Sequence, residues 1–279
     1  MFKKFILAIA VLGMVNAPTF SQNSQGSLFI IGGGARPASL LNAMIEEAEL
    51  KNGGYAIVLP MSSAQTEAAM ESGIKQLVDL GITAVVGFDF KKGATPSSSK
   101  IDSLKNAKLI YISGGSQSRF MNVVESTDIE KAIWDCYNNG GTIAGTSAGA
   151  AVMSEKMING EQVLYPDAES GFRVIEKGNT ALVQGLGLIK TAIIDQHFVK
   201  RSRHNRLMTL AIEHPELKCI GIDESTAIVV KGNQARVVGL SQVLVYDGSK
   251  GKTKNQGNKL GMKGMQLNVY LSGDTFKIK

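Results

Sequence analysis

Thr142-Ile-Ala-Gly-Thr-Ser-Ala-Gly-Ala150 joins a short apolar run, a turn built from small residues and the start of an alanine-rich stretch that continues to Met157. The pattern predicts strand, tight turn and helix, with one serine, Ser147, at the turn. A serine placed there projects its hydroxyl outward, and small neighbours let a substrate carbonyl approach it. The Ala148 amide points toward the same space from the positive end of the new helix. An α/β protein builds an acyl-transfer nucleophile in this way. The plainer reading is a Gly/Ser turn between two ordinary elements, because G-x-S-x-G also arises by chance.

Working outward, apolar runs alternate with helical patterns. Strands are predicted at Ser27–Ile31, Tyr55–Leu59, Thr83–Phe90, Leu109–Ile112 and Thr142–Ala144. Helices are predicted from Ala38 to Lys51, at Thr66–Leu80 and at Ile129–Asn138, the last closed by Gly140-Gly141. Continuous apolar strands between helices indicate a mostly parallel sheet covered on both faces, a doubly wound α/β fold. Residues 159–180 break the pattern: Asn159 to Gly171 is turn-rich and non-periodic, so a long loop is predicted beside the serine. Beyond it a strand is predicted at Leu188–Ile194, a helix at Arg203–Glu213 and a strand at Cys219–Ile222. A β meander follows at Thr226–Val230, Ala235–Gly239 and Val243–Tyr246, then short C-terminal strands at Leu267–Leu271 and Thr275–Ile278. With no linker and no repeat, residues 22–279 read as a single domain.

Composition agrees with one large core. Of 279 residues, 44% are apolar and 19% charged. Met1-Phe-Lys-Lys, an apolar run from Phe5 to Val15 and a polar, small-residue exit predict a signal peptide over residues 1–21, cleaved between Ala17 and Gln22. The run is shorter than the ~20 residues a membrane span needs, so no membrane association is expected after cleavage. The mature protein is expected to be exported, to the periplasm or outside the cell. The formal charge is +6 for the whole chain, and loss of the leader leaves 28 basic against 24 acidic residues. Much of the excess lies in Lys250, Lys252, Lys254, Lys259 and Lys263, without aromatic stacking platforms between Gly248 and Leu267, so no nucleic-acid partner is expected. Cys136 and Cys219 lie far apart, in a predicted amphipathic helix and a buried strand, and read as two unpaired core thiols. With so few cysteines and no zinc spacing, no metal and no cofactor is expected.

A nucleophilic serine needs a base, and the base an orienting acid. Three histidines are present. His214 precedes Pro215 at a helix end. His204 lies in a predicted helix among Arg201, Arg203 and Arg206. His197, in Asp195-Gln-His-Phe198, follows a predicted strand and so sits at the carboxyl edge of the sheet, the edge that carries Ser147. It is the candidate base. The acid is Asp223 or Glu224, both past the strand Cys219–Ile222; alternate residues of an extended segment face opposite ways, so one of the two can face the site.

Gly145-Thr-Ser-Ala-Gly-Ala150, Gly114-Gly-Ser-Gln117, Asp195-Gln-His-Phe-x-x-Arg-x-Arg-x-x-Arg206 and Gly221-Ile-Asp-Glu-x-Thr-Ala227 together resemble the cyanophycinase branch of the peptidase E group of serine peptidases. The likeness covers nearly the whole mature chain. It implies a class I glutamine amidotransferase-like (flavodoxin-like) fold, with serine as nucleophile. It implies Ser147, His197 and Glu224 as the catalytic set, with the Gly115 and Ala148 amides as oxyanion donors. Gln117, Asp195, Gln196, Arg201, Arg203 and Arg206 are implied at the substrate pocket. It further implies hydrolysis of β-Asp-Arg polymer to dipeptides, or, in the sister branch, removal of dipeptides with N-terminal aspartate, and it is compatible with a homodimer. The family has Asp or Asn where this chain has Ser116, and the 159–180 segment lies between nucleophile and base. Two readings of other classes are a non-catalytic peptide-binding protein on the same fold and a nucleotide loop at Gly32-Gly-Gly-Ala-Arg-Pro37. The latter lacks the third glycine of the dinucleotide pattern.

Overall fold

The computed structural model describes residues 26–167 and 172–279; the expected leader, residues 1–21, lies outside the described residues. The first half runs β1 (Ser27–Ile31), α1 (Ala38–Glu47), β2 (Ala56–Leu59), α2 (Thr66–Val78), β3 (Val85–Gly87), α3 (Ser98–Lys105), β4 (Leu109–Ile112), α4 (Gln117–Val124), α5 (Asp128–Asn138) and β5 (Thr142–Thr146). The second half runs α6 (Ala148–Ala151), β6 (Lys156–Gln162), β7 (Thr180–Gln184), β8 (Ala192–Gln196), α7 (His204–Glu213) and β9 (Lys218–Ile222). It ends with β10 (Thr226–Lys231), β11 (Gln234–Gly239), β12 (Val243–Asp247), β13 (Lys252–Thr253), β14 (Met262–Lys263), β15 (Gln266–Tyr270) and β16 (Thr275–Lys277).

The central sheet has eight strands in the order β16-β11-β10-β1-β5-β4-β2-β3. From β1 to β3 all pairings are parallel; β10, β11 and β16 extend the sheet antiparallel. The apolar strands are buried on both faces because alternate residues enter different cores. Leu28 and Ile30 of β1 join a cluster with Leu104 of α3, Phe120 of α4 and Ile133 of α5. Phe29 and Ile31 join another, with Leu41 and Ile45 of α1 and Leu77 of α2. A second sheet, β15-β12-β9-β8, packs Ile194, Ile220 and Val245 onto the first cluster, and puts Ile193, Cys219 and Tyr246 against α7. Cys136 and Cys219 are both free and buried, as the sequence predicts.

Several boundaries differ from expectation, each for a tertiary reason. The helix after Ser147 ends at Ala151, not Met157. There the Ser154 hydroxyl accepts from the Ile194 amide at 3.0 Å, and the Val152 carbonyl accepts from Leu186 at 2.7 Å, so the chain is drawn into the second layer. Asn159–Gln162 is strand rather than loop: β6 and β7 form a hairpin whose bulge, at Gly160 with φ 101°, masks the alternation. The apolar run at Leu188–Ile189 is buried but irregular, and the strand starts at Ala192. The predicted meander divides after its second strand. Gly239 turns at φ 128°, and β12 crosses to pair with β9 and β15. Helices α3 and α4 were not predicted; both are short segments of mixed polarity.

Candidate active site

Strands from both sheets end at one place. β5 leads into Ser147, which adopts φ 54° and ψ −109°, a strained turn that aims its hydroxyl away from the sheet. Its amide donates to the Ile31 carbonyl at 3.0 Å. Gly145 abuts the Gly149 carbonyl and Gly149 the Ile112 carbonyl, so a Cβ at either would overlap backbone. That contact is the local reason for glycine on both sides of Thr-Ser-Ala.

His197 directly follows β8, also at positive φ (49°), with its amide donating to the Gly32 carbonyl at 2.7 Å. Glu224 follows β9. The imidazole joins the two ends: Nε2 lies 2.9 Å from Ser147 Oγ and Nδ1 2.6 Å from Glu224 Oε1. With Nδ1 donating to the carboxylate, Nε2 is left to accept the serine proton. Gly33 (φ 109°) and Gly34 (φ 71°) make the assembly possible. A Cβ on Gly33 would overlap the His197 ring, and one on Gly34 would stand 2.7 Å from Glu224 Cβ.

Of the two acidic candidates, the geometry assigns Glu224 to His197. Asp223 turns away: its Oδ1 accepts from the Lys200 amide at 2.9 Å and its Oδ2 from the Ser241 hydroxyl at 2.7 Å. Burial pushes the Asp223 carboxyl up, but these hydrogen bonds outweigh it and hold it below its ordinary value. Burial is also the main influence on His197 and lowers its pKa from 6.5. The Glu224 hydrogen bond and charge oppose this, and the positive charges of Arg201 and Arg203 reinforce it. The net shift is downward, so the imidazole is neutral, the form a general base requires, at pH 7.

The Gly114-Gly115 turn stands beside the serine. A Cβ on Gly114 would lie 3.4 Å from Ser147 Cβ. Gly115, at φ 140°, packs against the Ser62 carbonyl, which accepts from the Ser116 amide and from Arg119 Nη1, each at 2.8 Å. Among the described residues, neither the Gly115 nor the Ala148 amide donates to a protein acceptor. Ser116 caps α4 by accepting from the Arg119 amide at 3.3 Å.

Of the remaining predicted residues, Asp195, Gln196, Arg203 and Arg206 form a hydrogen-bonded brace behind the histidine. Asp195 and Arg206 are 1% and 4% exposed; Arg206 Nε donates to Asp195 Oδ2 at 2.6 Å and Nη2 to Oδ1. Arg203 Nη1 donates to the Gln196 carbonyl and to its Oε1, each at 2.7 Å. Burial, with the neighbouring Arg206 charge, lowers the Arg203 pKa to about 10. Gln117 is buried and donates to the Ile158 carbonyl at 2.8 Å, tying α4 to the β6–β7 hairpin. Arg201 is exposed.

The cleft that opens at Ser147 and His197 holds roughly 270 Å³, and none of these arginines lines it. Its walls instead include Gly33, Gly34, Tyr111, Ser113, Thr146 and, from the turn before α1, Arg36. Sequence reasoning missed Arg36 because it assessed Gly32-Gly-Gly-Ala-Arg-Pro37 only as a nucleotide loop. The available signal was a cation two residues past glycines at a sheet's carboxyl edge. Among the described residues, no three His, Cys, Asp or Glu side chains group to hold a metal, and no helix is long and apolar enough to cross a membrane.

The profile of Peptidase family S51 matches residues 28–238. A cyanophycinase of Nostoc sp. is 32% identical over 237 residues, covering 80% of this chain and 75% of the relative. Another, of Geminocystis herdmanii, is 36% identical over 180 residues, covering 61% of this chain and 62% of its own. Among solved structures, a peptidase from an acI-B1 actinobacterium superposes with TM-score 0.65 at 22% identity, over 92% of this chain and 99% of that one. A putative peptidase E from Listeria monocytogenes gives TM-score 0.53 at 20% identity, over 77% and 99%. At such identities the two structures speak for the fold alone.

Proposed function

The chain belongs to peptidase family S51 and is a serine-type peptidase of the cyanophycinase and peptidase E kind, and from that premise we propose that it hydrolyses β-Asp-Arg polymer to dipeptides through an acyl-enzyme. The observation that carries the mechanism is the single imidazole within hydrogen-bond reach of both Ser147 and Glu224. His197 Nε2 takes the Ser147 proton as Oγ attacks the scissile carbonyl. The resulting oxyanion is held by the Ala148 and Gly115 amides, which donate to no acceptor among the described residues. The tetrahedral adduct collapses, the C–N bond breaks, and His197 gives its proton to the departing amine. Water then attacks the ester, losing a proton to His197. The C–Oγ bond breaks and Ser147 recovers its hydrogen. Glu224 keeps the imidazole in the working tautomer and stabilises its charged form throughout.

The substrate reading is supported by the cyanophycinase names of the relatives. In it Arg201, beside His197, meets substrate. Asp195, Gln196, Arg203, Arg206 and Gln117 shape the site from behind. The fold is read as class I glutamine amidotransferase-like, one peptidase domain over residues 22–279, and the amino-terminal pattern supports export.

One experiment tests these together. The full chain is expressed in a secreting bacterial host, and the recovered protein has its N-terminus read by mass spectrometry. It and its Ser147→Ala variant are then given β-Asp-Arg polymer and α-linked aspartyl dipeptides. A start between Ala17 and Gln22, and dipeptide release abolished in the variant, are expected. Cleavage of α-linked peptides alone moves the assignment to the peptidase E branch. An uncut N-terminus removes the export reading, and turnover surviving in Ser147→Ala removes the mechanism.

A further inference from the structure

Among the described residues, Arg36 is the only charged side chain lining the cleft at Ser147. The guanidinium is half-buried, and Gln76 of α2 orients it by accepting from Nε at 2.7 Å. A long contact runs from Nη1 to the Gly34 carbonyl at 3.4 Å. Arginine carries five N–H donors, so most of the outer fork has no partner among the described residues, and no acidic side chain there pairs with it. The opposite holds for Arg206, whose fork is taken up by Asp195. A half-buried guanidinium with no acidic partner among the described residues favours an incoming anion with two acceptor oxygens. It repels a cationic group.

We propose that Arg36 is the residue by which this site reads a free carboxylate of its substrate. The inference rests on the peptidase reading above and deepens it. A β-Asp-Arg repeat inside a polymer keeps one free carboxylate, that of its arginine, and one guanidinium. The cleft selects the former, and the substrate guanidinium is directed away from Arg36.

The test is binding, so that it stands apart from turnover. Ser147→Ala protein is titrated calorimetrically with β-Asp-Arg dipeptide whose aspartate α-carboxylate is capped as an amide, as it is inside the polymer, and with the same capped dipeptide amidated at the arginine carboxylate as well. The titrations are repeated in the Ser147→Ala/Arg36→Ala and Ser147→Ala/Arg36→Lys backgrounds, each shown to be folded by its thermal transition. A preference for the free carboxylate on the order of 10- to 100-fold is expected. It falls to about one in the alanine background, with part retained in lysine, which keeps charge but not the fork. A preference that survives Arg36→Ala, or the lack of any preference in the Ser147→Ala protein, overturns the role of Arg36. Polymer turnover by the unsubstituted enzyme decides the peptidase substrate separately. An Arg36-dependent preference without turnover keeps the carboxylate site and removes the polymer assignment.

Discussion

Three non-glycine residues around the site, Ser147, His197 and Ser225, sit at positive φ of 54°, 49° and 54°. Such backbone costs of order 1–3 kcal/mol each and persists where neighbours enforce it. Here the enforcement is visible: each of their amides donates to a carbonyl of the Ile31-Gly32-Gly33 segment. This single stretch orients Ser147, His197 and the loop carrying Glu224. At this scale the pH dependence follows. Because burial and the arginine charges lower the His197 pKa, the acid limb of kcat/KM should lie below 6.5, with activity lost as pH falls through it. Arg201→Ala removes one lowering charge and should move the limb up. Glu224→Gln removes the raising influence and should move it down, while cutting kcat on the order of 1,000- to 10,000-fold. A pH–rate series on the three proteins checks all three directions; a limb that stays fixed when Arg201 is removed would refute the electrostatic account. Ser147 and His197 were legible residue by residue, because a serine turn and a scarcity of histidines are local facts. Arg36 was not, since its meaning depends on what stands across the cleft.

At the scale of elements, the glycines after β1 decide how closely the second sheet can approach. Gly33→Ala asks for a Cβ where the His197 ring lies, at a φ of 109° that alanine resists. The imidazole must shift, and a displacement of about 1 Å costs roughly 100-fold in rate. The expected result is a kcat loss of that order while the protein remains folded, read by steady-state kinetics beside a thermal melt; wild-type kcat would mean that the ring does not depend on this contact. The strands of the parallel half were legible because they are short, apolar and bounded by glycine. The β6–β7 hairpin was not, because a bulge at Gly160 and an Asn159 side chain that bonds the Glu161 amide at 2.9 Å disguise the alternation. The alanine-rich stretch after Ser147 has high helix propensity, yet its contacts with Leu186 and Ile194 end the helix after one turn.

For the whole molecule, the question is what holds the two sheets in a working relation. β8 and β9 deliver His197 and Glu224, whereas β1 and β5 deliver the glycines and Ser147. Behind the histidine, Asp195 at the end of β8 is locked to Arg206 on α7. Breaking a buried pair leaves an uncompensated charge and typically costs 3–5 kcal/mol. Arg206→Ala should therefore destabilise by about 3 kcal/mol, toward the low end because Arg203 stands 3.5 Å from the same carboxylate. Denaturant titration measures it, and the double variant Asp195→Leu/Arg206→Met should recover part of the loss. A single variant as stable as the parent would show that the pair does not hold this layer.

By itself the sequence determined the parallel α/β frame, the serine turn and the histidine that the fold brings beside it. Each is written in local pattern: apolar runs, glycine placement, a hydroxyl at a turn. Only the tertiary structure decided which carboxylate faces the imidazole, that the terminal strands divide between two sheets, and which arginine lines the cleft. Those outcomes turn on side chains far apart in the chain competing for the same partner. Asp195 on β8 meets Arg206 on α7, and Arg36 before α1 meets Gln76 on α2, pairings that no window of sequence contains.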